Sequence, residues 1–334
     1  MKAHNPLRIL LVVTAVSLIS TMAFAPSTSP TLAILKRIQF TRGATSAVVS
    51  GNLPANTSAR YILRALAGQL IDVTLSAPDG TRVRVTTSGG RVLTPIAGTS
   101  SSTGFRGYLP FTGDYIVAVA SGSQGVSYSV NVSIPVRVAF NRGATADTLK
   151  GHLDAHQGLD YILRAREGQI LEIDTTPDPA DVPLQLIIYG VDGSVLKSGM
   201  GEESSFRGEL PVSEDYIVSV RAGEQAADFK MNVIIPQRIR FQTGAVSASV
   251  FGFLLANRTH YYSVSAMENQ TLQVKITPRN SLQLIIYGAD GTVLKSDMSE
   301  GDSFSGMLPN TQDYILEVRS ATTRIGYRLH VTIK

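Results

Sequence analysis

The chain has no cysteine. That removes a disulfide framework, a thiolate metal site and a cysteine nucleophile together. No G-x-S-x-G elbow, H-E-x-x-H pair or P-loop occurs either, so three common hydrolase and nucleotide-binding chemistries lack their motifs. Apart from the N-terminus, no apolar run approaches membrane-spanning length. The 29 Gly and 15 Pro gather into no long structureless stretch, so disorder is not the expected state. With 43% hydrophobic and 17% charged residues, the 334-residue chain has an ordinary globular balance and is long enough for two or three domains. Without disulfides, an exported chain of this kind depends on core burial, for which about 100 residues per domain suffice.

The first 25 residues read as an export signal. Lys2 and Arg8 precede an apolar stretch at 9–19, and Ala23-Phe24-Ala25 comes next as an A-x-A cleavage pattern. Cleavage there would leave Pro26 first, a poor fit to signal peptidase, so an uncleaved anchor is the alternative. Residues 26–35 read as a spacer.

From residue 36 onward the chain repeats itself. Ile38-Gln39-Phe40-Thr41-Arg42-Gly43 returns as Val138-Ala139-Phe140-Asn141-Arg142-Gly143 and as Ile239-Arg240-Phe241-Gln242-Thr243-Gly244. Phe105-Arg106-Gly107 returns as Phe206-Arg207-Gly208 and Phe304-Ser305-Gly306. Asp114-Tyr115-Ile116 returns as Asp215-Tyr216-Ile217 and Asp313-Tyr314-Ile315. A period near 100 residues exceeds that of a solenoid, so each repeat is a whole domain: 36–135, 136–236 and 237–334. Inside a repeat the hydrophobic period is two. Leu272, Val274 and Ile276 alternate with Thr271, Gln273 and Lys275, the pattern of a sheet with one face in a core. Asp192-Gly193 and Asp290-Gly291 read as tight hairpins. Gly68, Gly168 and Asn269 share a position that calls for positive φ. The expected fold is all-β, three tandem antiparallel β-sandwiches. Pro135 and Pro236 sit in links too short to flex, so the three form a semi-rigid row.

Phe40-x-x-Gly43, Ser50-Gly51, Tyr61, Ala67-Gly68-Gln69, Leu109-Pro110, Gly113-Asp114-Tyr115 and Tyr128-x-Val130 together resemble the bacterial periplasmic inhibitors of goose-type lysozyme. More broadly they are similar to pre-peptidase C-terminal β-sandwich domains. The resemblance spans nearly all of each repeat and implies a secreted sandwich of eight or nine strands, often an accessory domain. Those inhibitors carry a longer basic loop before the last strand. Here that stretch is short, at 120–125, 221–226 and 319–326, and no inhibitory residue carries over.

The five histidines, at positions 4, 152, 156, 260 and 330, share no position across the repeats. No catalytic residue is assigned and no enzyme is expected. No cofactor is expected either. The one metal candidate is a calcium site at Asp174, Asp178 and Asp181, hard oxygen ligands in a segment stiffened by Pro177, Pro179 and Pro183; a solvated acidic loop is the simpler reading. The outward face of 184–189 carries Ile187 and Tyr189, and the third repeat has Ile285 and Tyr287 there, where the first has Arg84 and Thr86. Such a stripe could stack on a sugar or meet a partner protein, or it could belong to a two-sided core.

Charge is uneven. The first repeat holds nine Lys and Arg against three Asp and Glu, the second nine against sixteen, the third ten against seven. The acidic middle repeat argues against nucleic acid as a partner. A basic first repeat beside an apolar N-terminus fits an anionic envelope surface, and surface drift fits equally. The sequence therefore reads as a secreted, periplasmic or envelope-attached binding and spacer protein. Its target is an extracellular protein such as a lysozyme, or a cell-wall glycan, with membrane contact only through a retained N-terminal segment. A hydrolase with a loop-borne carboxylate site and a purely structural stalk are the alternatives.

Overall fold

The computed structural model describes residues 35–99, 101–199, 203–280, 282–299, 301–321 and 324–334. The export segment and the spacer up to residue 34 lie outside the described residues. Leu35–Lys334 forms one compact unit.

The protein is all-β, with six sheets of four or five strands. The first repeat supplies β1 (Leu35–Arg37), β2 (Ser46–Leu53), β3 (Ser58–Ala65), β4 (Leu70–Ser76), β5 (Arg82–Thr87), β6 (Gly104–Tyr108), β7 (Gly113–Ala120) and β8 (Val126–Ser133). The second supplies β9 (Val136–Arg137), β10 (Ala146–Leu153), β11 (Gly158–Arg164), β12 (Ile170–Asp178), β13 (Leu184–Gly190), β14 (Val195–Lys197), β15 (Ser205–Glu209), β16 (Asp215–Ala222) and β17 (Ala227–Ile234). The third supplies β18 (Gln237–Arg238), β19 (Ser247–Leu254), β20 (Thr259–Ala266), β21 (Thr271–Thr277), β22 (Gln283–Gly288), β23 (Val293–Lys295), β24 (Ser303–Met307), β25 (Gln312–Arg319) and β26 (Ile325–Ile333).

One topology serves all three. The front sheet of the first sandwich runs β1-β3-β7-β5 and the back sheet β2-β8-β4-β6. The second repeats this as β9-β11-β16-β13-β14 and β10-β17-β12-β15, and the third as β18-β20-β25-β22-β23 and β19-β26-β21-β24. The linking strands β1, β9 and β18 pair in parallel with β3, β11 and β20. Each proline link is thereby stitched to the sandwich that comes after it.

Alternation places a separate core between each pair of sheets. Tyr61, Tyr161 and Tyr262 are buried in these cores, as are Tyr115, Tyr216 and Tyr314. Phe40, Phe140 and Phe241 pack against their edges. Turn chemistry keeps the same register. Gly68, Gly168 and Asn269 adopt φ of 78°, 73° and 66°, and Asn56, His156 and Asn257 adopt 55°, 63° and 57° at another shared turn. His156 is thus a left-handed turn residue.

A glycine on β2, β10 and β19 faces an aromatic ring on the last strand of each sandwich: Gly51 opposite Tyr128, Gly151 opposite Phe229, Gly252 opposite Tyr327. The ring lies flat across the glycine. A Cβ on Gly252 would come within 2.4 Å of the Tyr327 ring. The Tyr327 hydroxyl is fixed in turn by Tyr262 at 2.7 Å and His260 at 2.9 Å, so the ring has nowhere to go. Gly252→Ala is expected to destabilise the protein by about 1–3 kcal/mol through overpacking. Urea denaturation checks this, and a change below about 0.5 kcal/mol would contradict it.

Candidate functional site

The front sheets of the second and third sandwiches are buried on the core face and, at their centres, on the outward face as well. Ile162, Ile217 and Ile315 alternate with core residues and so point outward, yet each is at most 2% exposed. The back sheet of the preceding sandwich covers them. Leu70 on β4 clusters with Ile162, Ile217, Val191, Tyr189 and Ile96 at the first joint. At the second joint Ile285, Tyr287, Ile315 and Tyr261 cluster, all from the third sandwich.

An arginine clasp closes each cluster. Arg106 on β6 lies 4.8 Å from the centre of the Tyr189 ring. It donates to Asp72 Oδ2 at 2.7 and 2.9 Å, and also to the carbonyls of Gly190 and Val191. Arg207 on β15 lies 4.6 Å from the centre of the Tyr287 ring and donates to Glu172 at 2.6 Å. The Tyr287 hydroxyl completes the circuit by donating to the other Glu172 oxygen at 3.1 Å. A carboxylate on the earlier sandwich thus holds an arginine flat against a tyrosine of the later one. Burial lifts the Asp72 carboxyl above its ordinary value, with Arg106 pulling the other way. Burial, then the charges of Glu172 and Glu317, push the Tyr287 phenol far up.

A second anchor sits beside each clasp. Arg137 on β9 makes a two-pronged pair with Asp215 at 2.7 and 3.0 Å, and Tyr108 of the first sandwich donates to the same carboxylate at 2.5 Å. Burial works to raise Asp215, but the hydrogen bonds from Arg137 and Tyr108 outweigh it and hold the carboxyl below its ordinary value. Its stabilisation is therefore complete above the unfolded carboxylate range and is lost as pH falls through the lowered value. At the second joint Arg238 pairs with Asp313 and donates to the Gly168 carbonyl at 3.0 Å. The centre of the first joint holds Asp160, which accepts from Ser133 at 2.5 Å and Ser219 at 2.6 Å. At the second joint these positions become Tyr261 and Glu317, and Glu317 pairs with Arg319.

The sequence-read stripe is thus placed. Tyr189, Ile187, Tyr287 and Ile285 point away from their own cores, and the space above them belongs to the neighbouring sandwich. Tyr287 and Ile285 are buried, Tyr189 and Ile187 half-buried. The acidic trio is not brought together. Asp174 and Asp178 lie on β12, in register with Asn232 and Asp228, where four residues of extended chain span about 13 Å. Asp181 lies in the turn beyond. Strand pairing reaches through this segment, so it is not the loop that calcium ligation would need. Among the described residues no three His, Cys, Asp or Glu gather as metal ligands would.

Arg106, Arg207 and their carboxylates do not emerge from sequence reading as joint residues, although the repeat holds their signal. The arginine of Phe-Arg-Gly occurs in the first and second repeats and becomes Ser305 in the third. The outward tyrosine occurs in the second and third and is Thr86 in the first. An offset by one repeat is the mark of a contact between neighbours.

No family model matches the chain, and no curated protein matches it. Among solved structures it is similar to PliG of Aeromonas hydrophila, a periplasmic lysozyme inhibitor of g-type lysozyme, at 25% identity over 30% of this chain and 95% of that one, with a TM-score of 0.27. PliG of Salmonella Typhimurium matches at 23% identity over 29% and 95%, with a TM-score of 0.25. A structure from Sulfolobus Turreted Icosahedral Virus aligns over 84% of this chain and 83% of that one at 13% identity, with a TM-score of 0.20.

Arg207→Ala removes a desolvated cation–π contact and strips Glu172 of its charged partner. The expected cost is about 2 kcal/mol, seen as a lower thermal midpoint and faster hydrogen exchange in β22. Arg324→Ala removes a cation from the exposed face of Phe253 and is expected to cost less than about 0.5 kcal/mol. Equal effects of the two would contradict the clasp.

Proposed function

We propose that the protein is an exported, non-catalytic binding and spacer protein. Its three pre-peptidase C-terminal-like sandwiches stand in a fixed row and present a surface to an extracellular protein, a lysozyme among the candidates, or to a cell-wall glycan. One observation carries the reading: the two joints are built alike, each with an arginine clasp, a two-pronged anchor and a buried apolar cluster. Carboxylates with displaced pKa values, Asp72, Asp215 and Glu317, are held by Arg106, Arg137 and Arg319. Each of these pairs lies within one sandwich, on the face it turns to a joint. Export is supported by the order of basic, apolar and Ala-x-Ala elements in residues 1–25. The lysozyme arm is supported by the motif residues from Phe40 to Val130.

With the tyrosine stripe enclosed in the joints, the recognition surface lies on the third sandwich. Phe251 and Phe253 on β19 are 80% and 53% exposed, with Leu255 next at 50%. The matching positions are Ser50 and Asn52 in the first repeat and Lys150 and His152 in the second. An exposed phenylalanine pair on one strand face offers flat apolar area to a sugar ring or a protein partner.

A hydrolase is the second reading, and one feature favours it. Glu172 and Glu317 line a common cleft with Tyr261, Arg207 and Arg319, and burial raises Glu317. Both are bonded to arginines, which favours the structural role.

The test is a screen of the purified protein against lysozymes and peptidoglycan, for retention and for hydrolysis. Phe251→Ala with Phe253→Ala is expected to weaken retention at least tenfold, about 1.4 kcal/mol, with thermal unfolding unchanged. Retention unaffected by the pair would move the surface elsewhere. Hydrolysis abolished by Glu317→Gln would establish the second reading.

A further inference from the structure

The front face of the first sandwich occupies the position that the other two front faces use for docking, but its chemistry is different. Arg60 on β3 and Arg84 on β5 both pair in register with Ala118 on β7. The two arginines therefore stand on one face, a small alanine between them, with their Cα atoms about 10 Å apart. Arg82 lies two residues from Arg84 on the same face, in register with Ala120. All three are exposed, and no carboxylate among the described residues lies within 4 Å of any of them.

This charge has little local compensation. The first repeat has three acids. Asp72 is held by Arg106 on the back sheet and Asp114 faces Arg37 at 3.6 Å. That leaves Asp79, in the turn before β5. The 34 residues before β1 contain no Asp or Glu, so the N-terminal segment cannot neutralise the patch. The corresponding positions in the second sandwich are Asp160, Ile187 and Gln185, and in the third Tyr261, Ile285 and Gln283. Where Asp160 and Ile285 bury at the joints, the first sandwich carries the cations Arg60 and Arg84.

We propose that this face docks on an anionic phospholipid surface, with Arg60, Arg82 and Arg84 as the headgroup contacts. Charge gives the sign of the partner. Shape favours a planar one: arginines separated by alanines on a sheet face meet an array of phosphates better than a single enclosed ligand. The position of the chain gives the source, because β1, at the edge of this face, directly succeeds the segment that carries the apolar run at 9–19. Docked in this way, the face lies against the lipid and the second sandwich, packed on the opposite sheet, is directed away from it. The inference goes beyond the spacer reading and does not depend on which target the third sandwich recognises.

The test uses Leu35–Lys334, which contains all three cores and lacks the apolar run, so any membrane binding must come from the folded surface. Co-sedimentation is measured with vesicles of phosphatidylglycerol and phosphatidylcholine, and with phosphatidylcholine alone. The expected result is binding to the anionic vesicles only, released by salt. Each arginine replaced by alanine should weaken binding about fivefold, and the triple variant should lose it while unfolding at the same temperature as the unmodified protein. Equal binding to neutral vesicles would overturn the proposal, as would anionic binding that survives the triple substitution. Stronger retention on a heparin column than on anionic vesicles would overturn the lipid and assign the face to a polyanionic saccharide.

Discussion

The structure depends on burying the outer face of a β-sheet against the next sandwich in line. A sandwich normally leaves that face to water. Here Ile162, Ile217 and Ile315 face away from their own cores and are dry. Each such side chain contributes about 1.5–3 kcal/mol when fully buried, and at the first joint Leu70 and Ile96 of the preceding sandwich share that burial. Core, joint and row are therefore one system. The short proline links obey the same constraint: β9 and β18 are annexed as strands of the sandwich they lead into.

Polar groups are what make the joints specific. An apolar patch alone would let two sheets slide or rotate over each other. Arg106 and Arg207 fix the register because each must meet a carboxylate on its own sandwich and a tyrosine on the next. Beside the anchors, the bonds that cross the joints are Tyr108 to Asp215 and Arg238 to the Gly168 carbonyl. The two joints share this plan and differ at their centres, where Asp160 with two serines is exchanged for Tyr261 with Glu317 and Arg319. The face of the first sandwich shows the plan discarded, with Arg60 and Ala118 at these central positions.

Much of the fold was legible in the sequence because its signals are local. The period of two, the Asp-Gly hairpins and the shared positive-φ turn each arise from a few neighbouring residues, and Leu184, Leu186 and Ile188 are buried as their alternation requires. The role of Tyr189 and Tyr287 was not legible. Alternation gives the direction of a side chain but not what lies above it, and the covering residues come from another repeat. The strand through the acidic residues was not legible for a related reason. Prolines at 177, 179 and 183 read as a loop, yet β12 runs through Pro177 to Asp178, paired with β17. Pairing with a strand some fifty residues away overrides a local breaker at the end of a strand.

The central claim is that the joints fix the row. The absence of cysteine allows it to be measured directly, with spin labels on Val48→Cys and Val293→Cys, exposed positions in the first and third sandwiches, read by pulsed electron–electron resonance. The account predicts a single narrow distance distribution that broadens when Arg106 and Arg207 are both replaced by alanine. A broad or multiple distribution in the otherwise unmodified protein would contradict it.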